Sequence, residues 1–423
     1  PERADVVVIG SGYTGLHAAI QTARGGRSTL ILEAGDPGWG CSSRNGGHVS
    51  TSIKPSTAAL ARIHGTDRAK AMRAEGRASL DWIEDFINAE GIACSFRRAG
   101  RFHAAHTPKH YEGLARTADT LRRDEAVDVF EVPRAEQGRE IGSSFYHGGL
   151  VYPRFATLHP AEYHRGLLDM ALAAGAAVVP HCAALAIDGT AGRFEVKTSL
   201  GTVQARDVVV ATNGYTQALT PWLQRRVIPI GSYVIATEAL DPAEIDACFP
   251  TGRIVCDTRK VVYYYGPTPC GTRVVFGGRV SSGETDPRVS GPRLHAELTR
   301  LFPQLARARI AHSWSGTVAY TFDTLPHCGR HEGIHYAMGY CGAGVAMAGY
   351  LGMRMGQRVL GLAEGATAFD DLPFPTRPLY SGKPWFLPAA VAFYRWRDAL
   401  ECRLAARGAP PMPAAPAKMR APS

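Results

Sequence analysis

The chain has 423 residues, of which 45% are hydrophobic and 20% charged, with 46 glycines and 28 prolines. That mixture excludes disordered, collagenous and coiled-coil chains, and at roughly 150 residues per domain it allows two or three domains around a large core. Lys and Arg outnumber Asp and Glu by 47 to 38, giving +9, but the bases are scattered; with no clustered basic stripe, nucleic acid is not an expected partner and a mildly anionic substrate explains the charge as well.

The nine cysteines are odd in number, widely spaced and without a CxxC pair, which favours reduced thiols over a disulfide framework or a zinc site. No apolar run reaches the roughly 18–20 residues of a membrane helix, and the chain enters a strand with no signal-like stretch before it. A cytoplasmic protein with no membrane span is therefore expected.

In chain order, Asp5-Val-Val-Val-Ile9 reads as a β-branched strand that meets Gly10-Ser11-Gly12-Tyr13-Thr14-Gly15. Leu16, Ala19, Ile20 and Ala23 then recur at helical spacing up to Gly25-Gly26, and a second strand over 28–32 ends in Glu33. This is a βαβ unit that opens a parallel sheet. Residues 36–56 are too long and glycine-rich for an ordinary connection and read as a functional loop. Helices are predicted over 56–90, strand over Cys94–His103, and helix near 108–122. A helix from about Leu158 to Gly175 precedes strands at 176–187, 193–198 and 203–211. Strand patterns dominate 226–310, including Tyr233–Glu238, Val261–Tyr265 and Arg273–Gly278. A strand at 334–338 and a helix over Gly342–Leu360 follow, and the Pro- and Ala-rich tail from Gly408 is expected to be disordered.

The spacing Gly10-x-Gly12-x-x-Gly15, between strand and helix, carries a mechanism. Gly10 permits the tight turn, Gly12 lets the backbone approach a pyrophosphate at the helix N-terminus, Gly15 allows close packing, and Glu33 can accept from ribose hydroxyls. This predicts a dinucleotide site, without saying whether the ligand is FAD or NAD.

The rest of the chain bears on that choice. Besides Gly10 to Glu33, it carries Gly38-Trp39-Gly40-Cys41-Ser42-Ser43-Arg44-Asn45-Gly46-Gly47, Ala211-Thr212-Asn213-Gly214, Phe276-Gly277-Gly278-Arg279 and Gly339-Tyr340-Cys341-Gly342-Ala343-Gly344-Val345. On these motifs the sequence resembles the D-amino acid oxidase superfamily of FAD-dependent oxidoreductases over about residues 4–400, most of all its gamma-glutamylputrescine oxidoreductase branch. An NAD-dependent dehydrogenase would leave the motifs at 38–48 and 339–345 unexplained.

The resemblance implies an α/β fold: a Rossmann-like FAD-binding domain (1–90, 145–225 and 311–370) and a second, mainly antiparallel-sheet substrate domain (91–144 and 226–310). A C-terminal clasp (371–407) and the tail (408–423) complete the chain. The implied cofactor contacts are Gly10, Ser11, Gly12, Tyr13, Thr14, Gly15, Glu33 and Ala34; Gly40, Cys41, Ser42, Ser43, Arg44, Asn45, Gly46 and Gly47; Ala184 and Leu185; Thr212, Asn213 and Gly214; and Gly342, Gly344 and Val345. The helix starting at Gly342–Gly344 would aim its positive end at the reduced flavin ring.

Two departures shape the chemistry. The arginine that binds a substrate carboxylate in glycine and D-amino acid oxidases falls on Val318, just before Thr321-Phe322-Asp323-Thr324-Leu325-Pro326, which argues against a simple glycine-type oxidase; Arg279 or Arg101 could bind an acid from another side. The flavin-tethering cysteine of sarcosine oxidases falls near Val318 or Ala319, so FAD is expected to be held non-covalently. The lysine that promotes oxygen reactivity in some relatives has no counterpart on Val274–Gly277.

The expected activity is oxidation of a C–N bond in a primary or secondary amine, polyamine-derived or amino-acid-conjugated, to an imine that water hydrolyses, with O2 as acceptor giving H2O2. The alternatives are an amino acid oxidase, a dehydrogenase using another electron acceptor, and a low-turnover flavin-binding scaffold. The candidate catalytic residues are His48, Tyr264, Tyr265, Tyr320 and Arg279, although alternation lets only one face of Tyr263-Tyr264-Tyr265 point at the pocket. Asp323 reads as a structural hydrogen bonder rather than a base, and His103 with His106 as a solvated strand rather than a metal site, so no metal is expected. Trp385-Phe386-Leu387 and Tyr394-Arg395-Trp396 read as the clasp or as a dimer contact, in a monomer or homodimer.

Overall fold

The computed structural model describes residues 2–51, 53–278 and 285–407. β1 (Glu2–Ile9), α1 (Tyr13–Arg24) and β2 (Thr29–Leu32) form the expected unit, with the two strands parallel and Ile9 opposite Leu32. Val6, Val7 and Val8 are fully buried, as a strand covered on both faces requires; this is why the run is apolar without alternation. β1 also pairs in parallel with Gly201–Val210, and that strand with Ile334–Met338. Antiparallel strands at Arg193–Thr198 and Ala184–Thr190 extend from Gly201–Val210, so the sheet is mixed.

α1 lies against the helix Val345–Val359 at backbone distance. A Cβ on Gly352 would stand 2.3 Å from the Thr14 carbonyl oxygen, and one on Gly356 2.8 Å from that of Ala18. The Thr14 hydroxyl meets the Tyr340 hydroxyl at 2.7 Å. The two helices run parallel, with the first turn of α1 against the middle of Val345–Val359.

The second sheet runs in the order Ile310–Thr321, Val227–Thr237, Val274–Gly278, Tyr263–Pro267, Ile254–Asp257, Arg101–Ala104, Gly149–Tyr152, Phe130–Val132. Its core holds Phe102, Tyr233, Tyr265, Phe276, Leu294 and Phe302. The 12-residue strand Ile310–Thr321 pairs along its whole length with Val227–Thr237, although the sequence reading grouped residues 311 onwards with the nucleotide domain. Gly149–Tyr152 likewise belongs to this sheet.

Several boundaries differ from expectation, and Pro287–Leu301, inside the stretch read as strands, is a helix. The strand expected over Cys94–His103 is confined to Arg101–Ala104, after Gly100 turns at φ +80°. The strand expected over 176–187 splits into Ala177–Val179 and Ala184–Thr190, separated by a turn in which His181 has φ +53°. The helix expected over Gly342–Leu360 starts at Val345 because Cys341 and Gly342 both take positive φ.

Tyr380, Phe386, Leu387 and Val391 cover the sheet face that carries Ile228, Ile230, Val318 and Tyr320. The Tyr380 hydroxyl donates to the Val227 carbonyl at 2.6 Å, and Asp398, on the C-terminal helix Leu387–Arg407, accepts from the Lys260 and Val261 amides. The tail 408–423 lies outside the described residues.

Candidate active site

A cavity of about 450 Å³ opens where β1 and β2 end. Of the expected contacts, Gly10, Ser11, Gly12, Glu33, Ala34, Gly40, Cys41, Ser42, Ala184, Leu185, Thr212 and Asn213 line it. Gly10 turns the chain at φ +102°, with Ala211 O 3.2 Å from where a Cβ would stand; only glycine takes that conformation without strain. Gly12 is the N-cap of α1 and has no side chain to occupy the helix amides, which leaves that end open to an anion.

Glu33 organises the wall. One carboxylate oxygen accepts from the Ser11 amide (2.9 Å) and hydroxyl (2.7 Å), the other from the Gly35 amide (3.1 Å) and the Trp39 indole N–H (2.7 Å). Burial acts to raise its pKa, but the hydrogen bonds from Ser11, Trp39 and Gly35 outweigh it and hold the carboxyl below its ordinary value. Ser42 accepts the Tyr13 amide at 3.0 Å, tying the glycine-rich loop to the start of α1.

The remaining expected contacts are not among the residues lining this cavity. Asn45 donates to the Cys41 and Ser42 carbonyls and accepts from the Gly47 amide, so it holds the loop's shape. Ser43 donates to the Gly38 carbonyl, and the Arg44 carbonyl accepts from the Trp314 indole. Tyr13 is buried with its hydroxyl on Pro160 O, Thr14 is held by Tyr340, and Gly15 packs against Gly10. Gly46 abuts the Tyr264 ring, Gly47 the Leu158 carbonyl and Gly214 that of Thr317. Gly342 lies against Tyr320 and Gly344 against Tyr340, while Val345 is buried. Sequence reasoning missed Tyr215, Gln217, Leu219, Thr220 and Thr317, which also line the cavity, and left Trp39 out of the contact set. The signal for Tyr215 was its place right after Asn213-Gly214, and its ring meets Trp39 at 4.9 Å.

Of the substrate candidates, His48 and Tyr264 come together edge-on at 5.5 Å, and the Tyr264 hydroxyl bonds Ser232 at 2.8 Å. Positions 46 and 277 must be glycine because the Tyr264 ring fills the space a Cβ would need, at 2.8 and 2.2 Å. Tyr265 is a correction: alternation turns it to the other face, fully buried, stacked on Phe276 and donating to the Tyr146 hydroxyl at 2.6 Å. Arg279 lies outside the described residues. Asp323 contacts His327 at 3.0 Å and accepts the Leu325 amide.

One cation acts on His48 and another binds Tyr320. Lys54 Nζ donates to the Tyr320 hydroxyl at 2.9 Å, a contact that sequence reasoning missed. Arg101 is stacked over Tyr152 and Phe155 at 4.7 and 4.4 Å, with its Nε buried and unpartnered. Burial, with Arg101 adding to it, lowers the His48 pKa to about 3, so His48 is neutral at physiological pH. Its imidazole carbon-bound proton resonance, assigned by loss in His48→Asn, should keep its neutral position from pH 9 to pH 5; a midpoint near the ordinary value of about 6.5 would show that the ring is solvated instead.

The family described as FAD dependent oxidoreductase, DAO, matches residues 5–358. The gamma-glutamylputrescine oxidoreductase of Escherichia coli is 30% identical over 403 residues, covering 94% of this chain and 93% of the relative. Among solved structures, glycine oxidase from Geobacillus kaustophilus superposes with a TM-score of 0.75 at 22% identity, covering 89% of this chain and 99% of that one. L-proline dehydrogenase from P. horikoshii gives 0.72 at 17% identity, over 92% and 99%. Among the described residues no helix is long and apolar enough to cross a membrane.

Proposed function

The chain belongs to the DAO family of FAD-dependent oxidoreductases, and from that premise we propose that it oxidises the C–N bond of an amine conjugated to a carboxylate-bearing group. FAD, when bound, supplies the two-electron acceptor. The observation that carries its placement is the cavity shared by the Gly10–Gly12 turn, Glu33 and the Gly40–Ser42 loop. Gly12 and the start of α1 would face the phosphates, and Glu33 would accept from ribose, with the Ser11 hydroxyl the partner most easily turned aside. Burial pushes the Cys41 thiol up to about 11 and raises that of Cys341, which supports FAD held non-covalently: neither offers a thiolate at neutral pH.

The residues near His48 favour a particular substrate. Arg101 places positive charge beside a neutral imidazole and Lys54 places another on the Tyr320 hydroxyl, and no ion pair of either cation is formed among the described residues. Such a site attracts a carboxylate and disfavours a protonated amine, so the substrate nitrogen is held neutral, with its lone pair free to assist hydride loss. Asp323 is committed to His327, and no separate base is required. The oxidised carbon–nitrogen bond becomes an imine; water adds and releases an aldehyde and the smaller amine. With oxygen as acceptor the balance is amine plus O2 plus water to aldehyde, amine and H2O2. The E. coli relative's name supports a gamma-glutamylated amine.

Anaerobic mixing with a panel of amines, followed by air, tests this reading. Gamma-glutamylated amines should bleach the flavin, and air should restore it with peroxide. Bleaching by glycine or D-alanine alone would overturn the substrate class, and reoxidation without peroxide would make the enzyme a dehydrogenase. Arg101→Met should raise KM for the carboxylate-bearing amine by ~10–100-fold, the worth of one charged hydrogen bond, and leave an uncharged N-alkyl amine unchanged.

A further inference from the structure

The sequence singled out His103 and His106, but in the fold the partner of His106 is His110. The two imidazoles lie 4.1 Å apart between ring centroids, at the start of the helix Pro108–Glu125. Each is oriented by a threonine hydroxyl. Thr258 Oγ1 accepts the His106 amide and meets its Nδ1 at 2.7 Å; Thr107 Oγ1 accepts the His110 amide and meets its Nδ1 at 2.8 Å. Both rings therefore aim Nε2 at the same place, which is occupied by Glu401 of the C-terminal helix. Glu401 Oε2 stands 3.3 Å from His106 Nε2 and 4.0 Å from His110 Nε2, and the three atoms all lie within 4.8 Å of one another.

A hydrogen bond between His106 and Glu401 accounts for one of these approaches and leaves the other unexplained. Two imidazole nitrogens and a carboxylate oxygen converging with hydroxyls behind the rings form the donor set of a tetrahedral metal site, three protein ligands plus water. His110 and Glu401 are 28% and 34% exposed, free to adjust to ligand distance around the fully buried His106. The surroundings also carry Arg397, 3.8 Å from the other Glu401 oxygen, with Arg259, Lys260 and His147 opposed by Asp398. These cations oppose a divalent ion and weaken its binding.

We propose that His106, His110 and Glu401 bind one zinc-class divalent cation, which staples the C-terminal helix to the second sheet. That helix continues from the segment covering the face with Tyr320, so the ion would hold the cover in place without touching the flavin site.

The test uses the full-length, flavin-loaded protein, stripped with a chelator and dialysed against Zn2+. One equivalent should bind, with a raised melting temperature and slower proteolysis of the C-terminal helix. Glu401→Gln and His110→Ala should each weaken zinc binding at least tenfold with flavin content unchanged, whereas Cys402→Ser and Cys270→Ser should not. No bound zinc, or equal retention by the Glu401→Gln/His110→Ala double variant, would overturn the proposal. If His110→Ala fails to fold, the partly exposed Glu401→Gln alone decides it.

Discussion

Gly12→Leu is expected to fold yet purify colourless, with FAD affinity lowered by at least ~100-fold, or about 2.7 kcal/mol. The backbone at Gly12 has φ −71° and ψ 179°, which any residue adopts, so a side chain does not strain the turn. It does fill space. A Cβ would stand 3.0 Å from Ser42 Oγ, which accepts the Tyr13 amide, and the rest of a leucine would extend over the first turn of α1 on the cavity wall. Gly15→Ala separates binding from folding, because its Cβ would lie 1.9 Å from the Gly10 carbonyl oxygen; that variant should be lost to misfolding. Flavin absorbance per protein, with circular dichroism as the folding control, checks both. A yellow, stoichiometric Gly12→Leu protein would sink the phosphate-turn assignment.

The βαβ unit was legible because its signals are local: an apolar strand, three glycines at fixed spacing and an acid at the end of the next strand lie within one short stretch. The pairing of the second sheet was not. Ile310–Thr321 follows a helix and precedes a return to the first sheet, and only its register with Val227–Thr237, some eighty residues earlier, assigns it. Local periodicity cannot carry that information. Positive-φ residues that are not glycine, such as His181 and Cys341, broke predicted elements for the same reason: tertiary contacts impose the turn, and the residue type gives no warning.

The site shows the same division. Alternation predicts that Tyr264 and Tyr265 part company, yet it cannot say which one meets His48. The resemblance implies Asn45 as a cofactor contact, and its hydrogen bonds within the loop, which no motif spacing announces, hold the loop's shape. Lys54 and Tyr320 are 266 positions apart, and His106 and Glu401 295 apart. A lone lysine in a loop or a histidine near a helix start says nothing until the chain folds. Motif spacing finds what a short segment does by itself, chiefly phosphate binding; substrate contacts gathered from separate elements leave no such trace.

Glu33→Ala should lose ~30-fold or more in FAD affinity and several degrees in melting temperature. Four donors, the Ser11 amide and hydroxyl, the Gly35 amide and the Trp39 indole, lose their acceptor together, and each buried donor left unpaired costs about 1–3 kcal/mol. Water entering from the cavity recovers part of this, which keeps the loss below the sum. Glu33→Gln should fare little better, since an amide turns its NH2 toward either the Ser11 or the Trp39 donor. The depressed carboxyl pKa fixes the pH dependence. Stability from a carboxylate held below its unfolded value is fully present above that value, and is lost as pH falls through the folded value. Wild-type protein should therefore keep its flavin down to the ordinary carboxyl range of about 4.5 and release it in a step below that range, whereas Glu33→Gln should lack this step. Wild-type affinity and melting in Glu33→Ala, or an unchanged acid step in Glu33→Gln, would remove Glu33 from the cofactor site.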